Sequence, residues 1–156
     1  MHRRNILTAV LTGVGGLMAA AAGATRGRAE AMGATRAAPD KSKVVYHLSD
    51  LDKVSFVLGN IRNHFGGMGG PDKVTIALVV HGPALKAFHA ASAPPDLARR
   101  IRQFAKTGLE LNACANTMKA QNVELKDLLP GFIKAARGGV VRIAELQSLG
   151  YVYLRP

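Results

Sequence analysis

From Val44 onward, short apolar runs alternate with segments whose apolar residues recur every three or four positions. Val44-Val45-Tyr46-His47-Leu48 predicts a strand, Ser49-Asp50 reads as the cap of the next helix, and Val54, Val57, Leu58 and Ile61 recur at helical spacing. The glycines from Gly66 to Gly70 end that helix. They lack the Lys-Ser/Thr of a phosphate loop and do not follow a strand. Val74 to Val80 is the most apolar run of this region and predicts a central strand covered on both faces, ending at His81-Gly82-Pro83.

A short helix is expected over Ala84–His89. Pro94-Pro95-Asp96 then opens a helix with Leu97, Ile101, Phe104 and Ala105 on one side and Arg99, Arg100, Arg102 and Lys106 over the rest. Those cations read as a solvated face, with an anion- or partner-binding surface as the alternative. Leu109, Leu111 and Ala113 alternate with polar residues as a buried strand. The stretch after Cys114 has Thr117 as its one β-branched residue and reads as a short helix to Gln121. Leu125, Leu128 and Leu129 form apolar turns stopped by Pro130-Gly131, with Phe132 and Ile133 packing nearby. Gly138-Gly139-Val140-Val141 predicts a strand, Arg142 to Leu149 a helix capped by Gly150, and Tyr151 to Leu154 a closing strand. Strands alternating with helices imply an α/β fold: a single three-layer domain with a mostly parallel sheet of about five strands and helices on both faces.

Residues before this region read differently. Arg3-Arg4-Asn5-Ile6-Leu7, a weakly hydrophobic stretch to Ala24, and Ala29-Glu30-Ala31 together have the form of a twin-arginine export signal over residues 1–31. Its removal near Ala31 would leave a flexible linker, 32–42, and a folded domain, 43–156, in the periplasm with no stable membrane span. An uncleaved anchor is the competing reading, because Ile6 to Ala24 approaches the roughly 20 residues that a spanning helix needs.

The formal net charge is +11, and the domain stays basic without the signal. In an exported protein this makes nucleic acid an unexpected partner and leaves anionic ligands, acidic proteins or a membrane surface as candidates. Cys114 is the single cysteine, which excludes an internal disulfide and leaves a free thiol, a mixed disulfide or an intersubunit pair. No cofactor is indicated, and no His or Cys pair has metal-ligand spacing, so no metal site is expected.

In parallel sheets ligands collect beyond the carboxyl ends of the strands. Three polar strand ends meet that condition: His47 to Asp50, His81-Gly82 and Asn112-Ala113-Cys114. A cysteine at a strand-to-helix turn faces unpaired backbone N–H groups, which favour thiolate over thiol. Asn112 and Asn116 are placed to hydrogen-bond near the sulfur, and His47 and His81 to accept a proton. The alternative for the cysteine is a small buried hydrophobe.

As an ordered set, VVYHLSD, KVTIALVVHGPALKAF, LELNACANTMKAQNV and GGVVRIAELQSLGYVYLRP resemble the DsrE/DsrF-like family, small α/β proteins of sulfur metabolism. The resemblance covers the region from Lys43 to the C-terminus. It implies a persulfide-carrying cysteine, matched here by Cys114, homo-oligomers such as trimers or hexamers, and a protein or small sulfur compound as donor or acceptor. Two functions are carried forward: a periplasmic sulfur carrier or sulfurtransferase-like protein, and a non-enzymatic binding or assembly module with a structural cysteine.

Overall fold

A computed structural model describes residues 41–156; the segments expected to be the export signal and most of the linker lie outside the described residues. The strands are β1 (Ser42–Leu48), β2 (Val74–Val80), β3 (Glu110–Cys114), β4 (Phe132–Ala135) and β5 (Val152–Leu154). The α-helices are α1 (Val54–Gly67), α2 (Pro95–Lys106), α3 (Ala115–Ala120) and α4 (Gly139–Ser148), and a 3₁₀ segment spans Gly82–Phe88. The sheet order is β4-β3-β2-β1-β5, and every neighbouring pair is parallel. The expected α/β class holds, and the sheet is wholly rather than mostly parallel.

Alternation along each strand sorts the side chains. Val44, Tyr46 and Leu48 of β1, Val74, Ile76, Leu78 and Val80 of β2, and Leu111 and Ala113 of β3 face the main core. There they meet Val57, Leu58 and Ile61 of α1, Ile101 and Phe104 of α2, and Leu85 and Phe88 of the 3₁₀ segment. Burying each such aliphatic side chain contributes about 1.5–3 kcal/mol. The opposite face is lighter: Val45, Ala77 and Val79 pack against Ile143 and Leu146 of α4. The β2 run is apolar but for Thr75 because helices cover it on both sides.

Two local expectations are corrected. The fourth strand is Phe132–Ala135, and Gly138-Gly139-Val140-Val141 instead opens α4. Gly138, at φ 99°, turns the chain between them. Val140 and Val141 carry β-branched side chains that suit either element, and the turn residue decides. Secondly, Ser49-Asp50 does not cap by side chain: Asp50 starts a 3₁₀ turn at Leu51–Lys53 without a capping bond. Arg155 instead donates to Ser49 Oγ at 3.0 Å and pairs with Asp50 Oδ2 at 3.4 Å, tying the C-terminus to the end of β1. Among the described residues no helix is long and apolar enough to cross a membrane.

Candidate functional site

Strand register brings the polar ends together. Val80 pairs with Ala113 and Leu48 with Val80, so the next residue of β2, His81, lies opposite Cys114. His47, His81, Asn112 and Cys114 all belong to the strand face covered by α4, as the period of two requires. Gly139, the first residue of α4, shows how tight this corner is. A Cβ there would lie 3.2 Å from Cys114 Cβ, 3.3 Å from His81 Cβ and 3.4 Å from Val79 Cγ1. A side chain at this position would press on Cys114 and His81 and push them back by a few tenths of an ångström.

Cys114 is 6% exposed and stands at the N-cap of α3. Its sulfur makes no short cap bond of the kind a serine oxygen forms. Several donors nevertheless converge on it. They are the Thr117 hydroxyl and the backbone N–H groups of Thr117, Gly139 and Asn116. Two helix starts, those of α3 and α4, therefore point at one sulfur. Burial pushes the thiol pKa up, and the four donors outweigh it, so the net shift is below the ordinary thiol value.

The Thr117 hydroxyl owes its direction to a neighbour. Gly82 N–H donates to Thr117 Oγ1 at 2.9 Å, which occupies a lone pair and leaves the hydroxyl proton for the sulfur. Gln121, one turn further along, donates to the Gly82 carbonyl at 2.9 Å. The loop after β2 is thus clamped to the helix after β3. Gly82 adopts φ 58° in this loop, a conformation that favours glycine.

The other expected residues separate into two groups. His47 and His81 are in direct contact through their Nε2 atoms, with rings stacked at 4.6 Å between centroids. Tyr153 Oη bonds His47 Nδ1 at 2.6 Å. Asn112 is fully buried but turned to other partners: its amide donates to Glu110 at 2.9 Å and accepts from Arg142 Nε at 3.1 Å. Arg142 also donates to Glu110 at 2.8 Å, so Asn112 orients an ion pair rather than the sulfur. Asn116 meets Cys114 by its backbone N–H; its exposed side chain lies against Gly138.

Thr117, Gly139 and Tyr153 complete the arrangement and were not anticipated. Thr117 carried a faint signal as the β-branched residue in an otherwise unbranched short helix; the other two arrive from distant parts of the chain. Among the described residues no three His, Cys, Asp or Glu side chains come together to hold a metal ion.

A family model described as "DsrE/DsrF-like family" matches residues 19–156. The chain belongs to the DsrE/DsrF-like family. Among solved structures, a protein of unknown function from Methanobacterium thermoautotrophicum is 26% identical, with a TM-score of 0.65, covering 74% of this chain and 99% of its own. The ychN protein from E. coli shares the fold at 12% identity and a TM-score of 0.57, over 74% of this chain and 99% of its own. A conserved protein of unknown function from Bacteroides thetaiotaomicron does so at 13% identity and a TM-score of 0.54, over 74% and 95%. The search of curated proteins found no match. In this family member the thiol corner and the histidine pair are adjacent parts of one strand-end surface.

The histidine contact has a pH consequence. One proton fits between the two Nε2 atoms, so charging both rings sets two cations against each other. His47 is lowered to about 4, first by burial, then by His81 and Arg155, with Asp50 opposing. His81 is lowered too, by burial and then Arg155, again against Asp50. In the unfolded chain a histidine titrates near 6.5. Between about 6.5 and 4 the unfolded chain therefore holds more protons, and stability is full above that window and falls as pH drops through it. Urea midpoints measured from pH 7 to 4 should decline more steeply for wild type than for His47→Gln. Parallel profiles would show that the pair does not titrate as described.

Proposed function

We propose that this protein is a sulfur carrier that works in the periplasm, holding sulfane sulfur as a persulfide on Cys114. Family membership supports a role in sulfur relay. The observation that carries the reading to this residue is the place of Cys114 at the N-cap of α3 beside the start of α4, whose neighbouring donors hold its thiol below the ordinary value against burial.

The chemistry balances with thiosulfate as donor. Cys114 thiolate attacks the outer sulfur, a new S–S bond forms, the bond to the sulfonate sulfur breaks, and sulfite leaves with the electron pair. Delivery reverses the sense: an acceptor thiolate attacks the outer sulfur of the persulfide, and Cys114 departs as thiolate. His81, neutral at pH 7, is available as a base if the thiol arrives protonated. A cavity of about 300 Å³ abuts the corner through Gly138 and through Ala135, the β4 register partner of Cys114. Lys134, Arg137 and Arg142 line it beside Glu145, which pairs with both arginines, so Lys134 is the cation left to meet an anionic donor.

A second reading, a binding or assembly module with a structural cysteine, is favoured by the burial of Cys114. Iodoacetamide labelling against pH, with sulfur loading followed by mass spectrometry, separates the two. Wild type is expected to label at neutral pH and to gain one sulfur atom from thiosulfate or polysulfide. Cys114→Ser should fold, because the same donors satisfy a hydroxyl, yet take up no sulfur. Thr117→Val should raise the thiol pKa, because it removes a hydrogen bond to the charged form, while Thr117→Ser keeps it low. A wild-type thiol that titrates at or above about 8.5 and stays unloaded would replace the carrier by the binding module.

Export is part of the proposal and rests on Arg3-Arg4 and Ala29-Glu30-Ala31. Replacing Arg3 and Arg4 together by Lys should hold the precursor in the cytoplasm. Mature protein in the periplasmic fraction of that double variant would refute the twin-arginine route.

We also infer a homo-oligomer, supported by family resemblance and by apolar side chains left in solvent around α4. Val140 is 69%, Leu149 59% and Ile133 48% exposed. Light scattering at micromolar concentration should return a trimer, a hexamer or another closed assembly. A monomer would contradict the inference.

A further inference from the structure

On the sheet face opposite Cys114, α1 and α2 run side by side with a cleft of about 860 Å³ between them. Helical spacing explains which side chains enter it. Ser55, Gly59 and Arg62 follow one stripe of α1, and Asp96, Arg99, Arg100 and Gln103 one stripe of α2. Gly59 borders open space on the α1 side of the cleft: a Cβ there would meet nothing within 4 Å. The buried rings of Phe65 and Phe104 also line the space and give it an apolar floor.

Charge along the cleft is one-sided. Arg62, Arg99, Arg100 and Lys106 line it together with a single carboxylate, Asp96, which pairs with Arg99. Among the described residues Arg62, Arg100 and Lys106 make no ion pair. The cations of α2 are thus not spread evenly around the helix: Arg99, Arg100 and Lys106 turn to the cleft and meet Arg62 from α1, while Arg102 does not. Gathering like charges over an apolar floor is unfavourable in the empty protein, and an anion with an apolar body relieves both costs.

We propose that this cleft binds a small amphiphilic anion, an alkyl chain ending in a carboxylate. The volume falls within the roughly 300–1,000 Å³ of small-molecule sites. An inorganic anion would leave the phenylalanine floor unused, and an uncharged chain would leave three guanidinium or ammonium groups unpaired. A ligand with both parts uses the whole surface. The site is independent of the thiol, which lies on the other face of the sheet.

Titration calorimetry of the full chain with dodecanoate, kept below its micelle-forming concentration, tests this. Inorganic sulfate and dodecyl maltoside serve as the charge-only and chain-only probes. Dodecanoate is expected to bind saturably, and at least about tenfold more tightly than either comparator, a difference of about 1.4 kcal/mol. Gly59→Leu should project a side chain into the cleft, fold normally by circular dichroism and weaken binding at least about tenfold. Arg62→Glu with Arg100→Glu should do the same by reversing charge, and keeps the test decisive if Gly59→Leu proves unstable. The proposal is overturned by absence of dodecanoate binding, by equal binding to the charge-reversed variant, or by either comparator binding as tightly.

Discussion

The sulfur of Cys114 lies where two helices begin, and much of the local architecture follows from letting both of them reach it. Asn116 and Thr117 N–H groups come from the helix that the cysteine itself starts. The Gly139 N–H comes from α4, across the top of β4. That second approach is eased by the missing side chain at Gly139 and follows a positive φ at Gly138. The Thr117 hydroxyl requires Gly82 to fix its lone pair, and Gln121 fixes Gly82 in turn. The starts of α3 and α4 thus meet at the sulfur, and the loop after β2 reaches it through Thr117.

The two faces of the sheet have different work. Large aliphatic and aromatic side chains fill the layer under α1, α2 and the 3₁₀ segment. The α4 layer contains a small core, Val45, Ala77, Val79, Ile143 and Leu146, and gives the rest of its area to polar groups. Glu110, Asn112 and Arg142 form a satisfied hydrogen-bonded set there, so burial of Asn112 and half-burial of Arg142 leave no polar atom stranded. Such a face gives up packing energy for polar geometry, which is the usual condition at a strand-end site.

How much of this could be read from residues alone depends on range. β1, β2 and β3 were legible because seven- and five-residue runs with a period of two, or apolar almost throughout, leave few alternatives. β4 was not, since four residues after Pro130-Gly131 carry too short a pattern, and the neighbouring Gly-Gly-Val-Val run looked more like a strand. The shared face of His47, His81, Asn112 and Cys114 follows from alternation within each strand once the register between strands is known. Local pattern could not say that Asn112 turns to Arg142, or that Tyr153 reaches His47 from the last strand. Those contacts depend on which side chain is nearest in space, and on desolvation of groups that sequence order keeps apart.

The donors around Cys114 also set the direction in which a sulfur–sulfur bond at this position breaks. A thiolate that is stabilised when free is a weaker attacking nucleophile, by the usual dependence on basicity, and a faster leaving group. A sulfur atom carried there would load more slowly than on an ordinary thiolate and leave faster. A group linked through this sulfur would be held by a bond polarised toward departure of Cys114 as thiolate, which makes access of the next thiol the step to control.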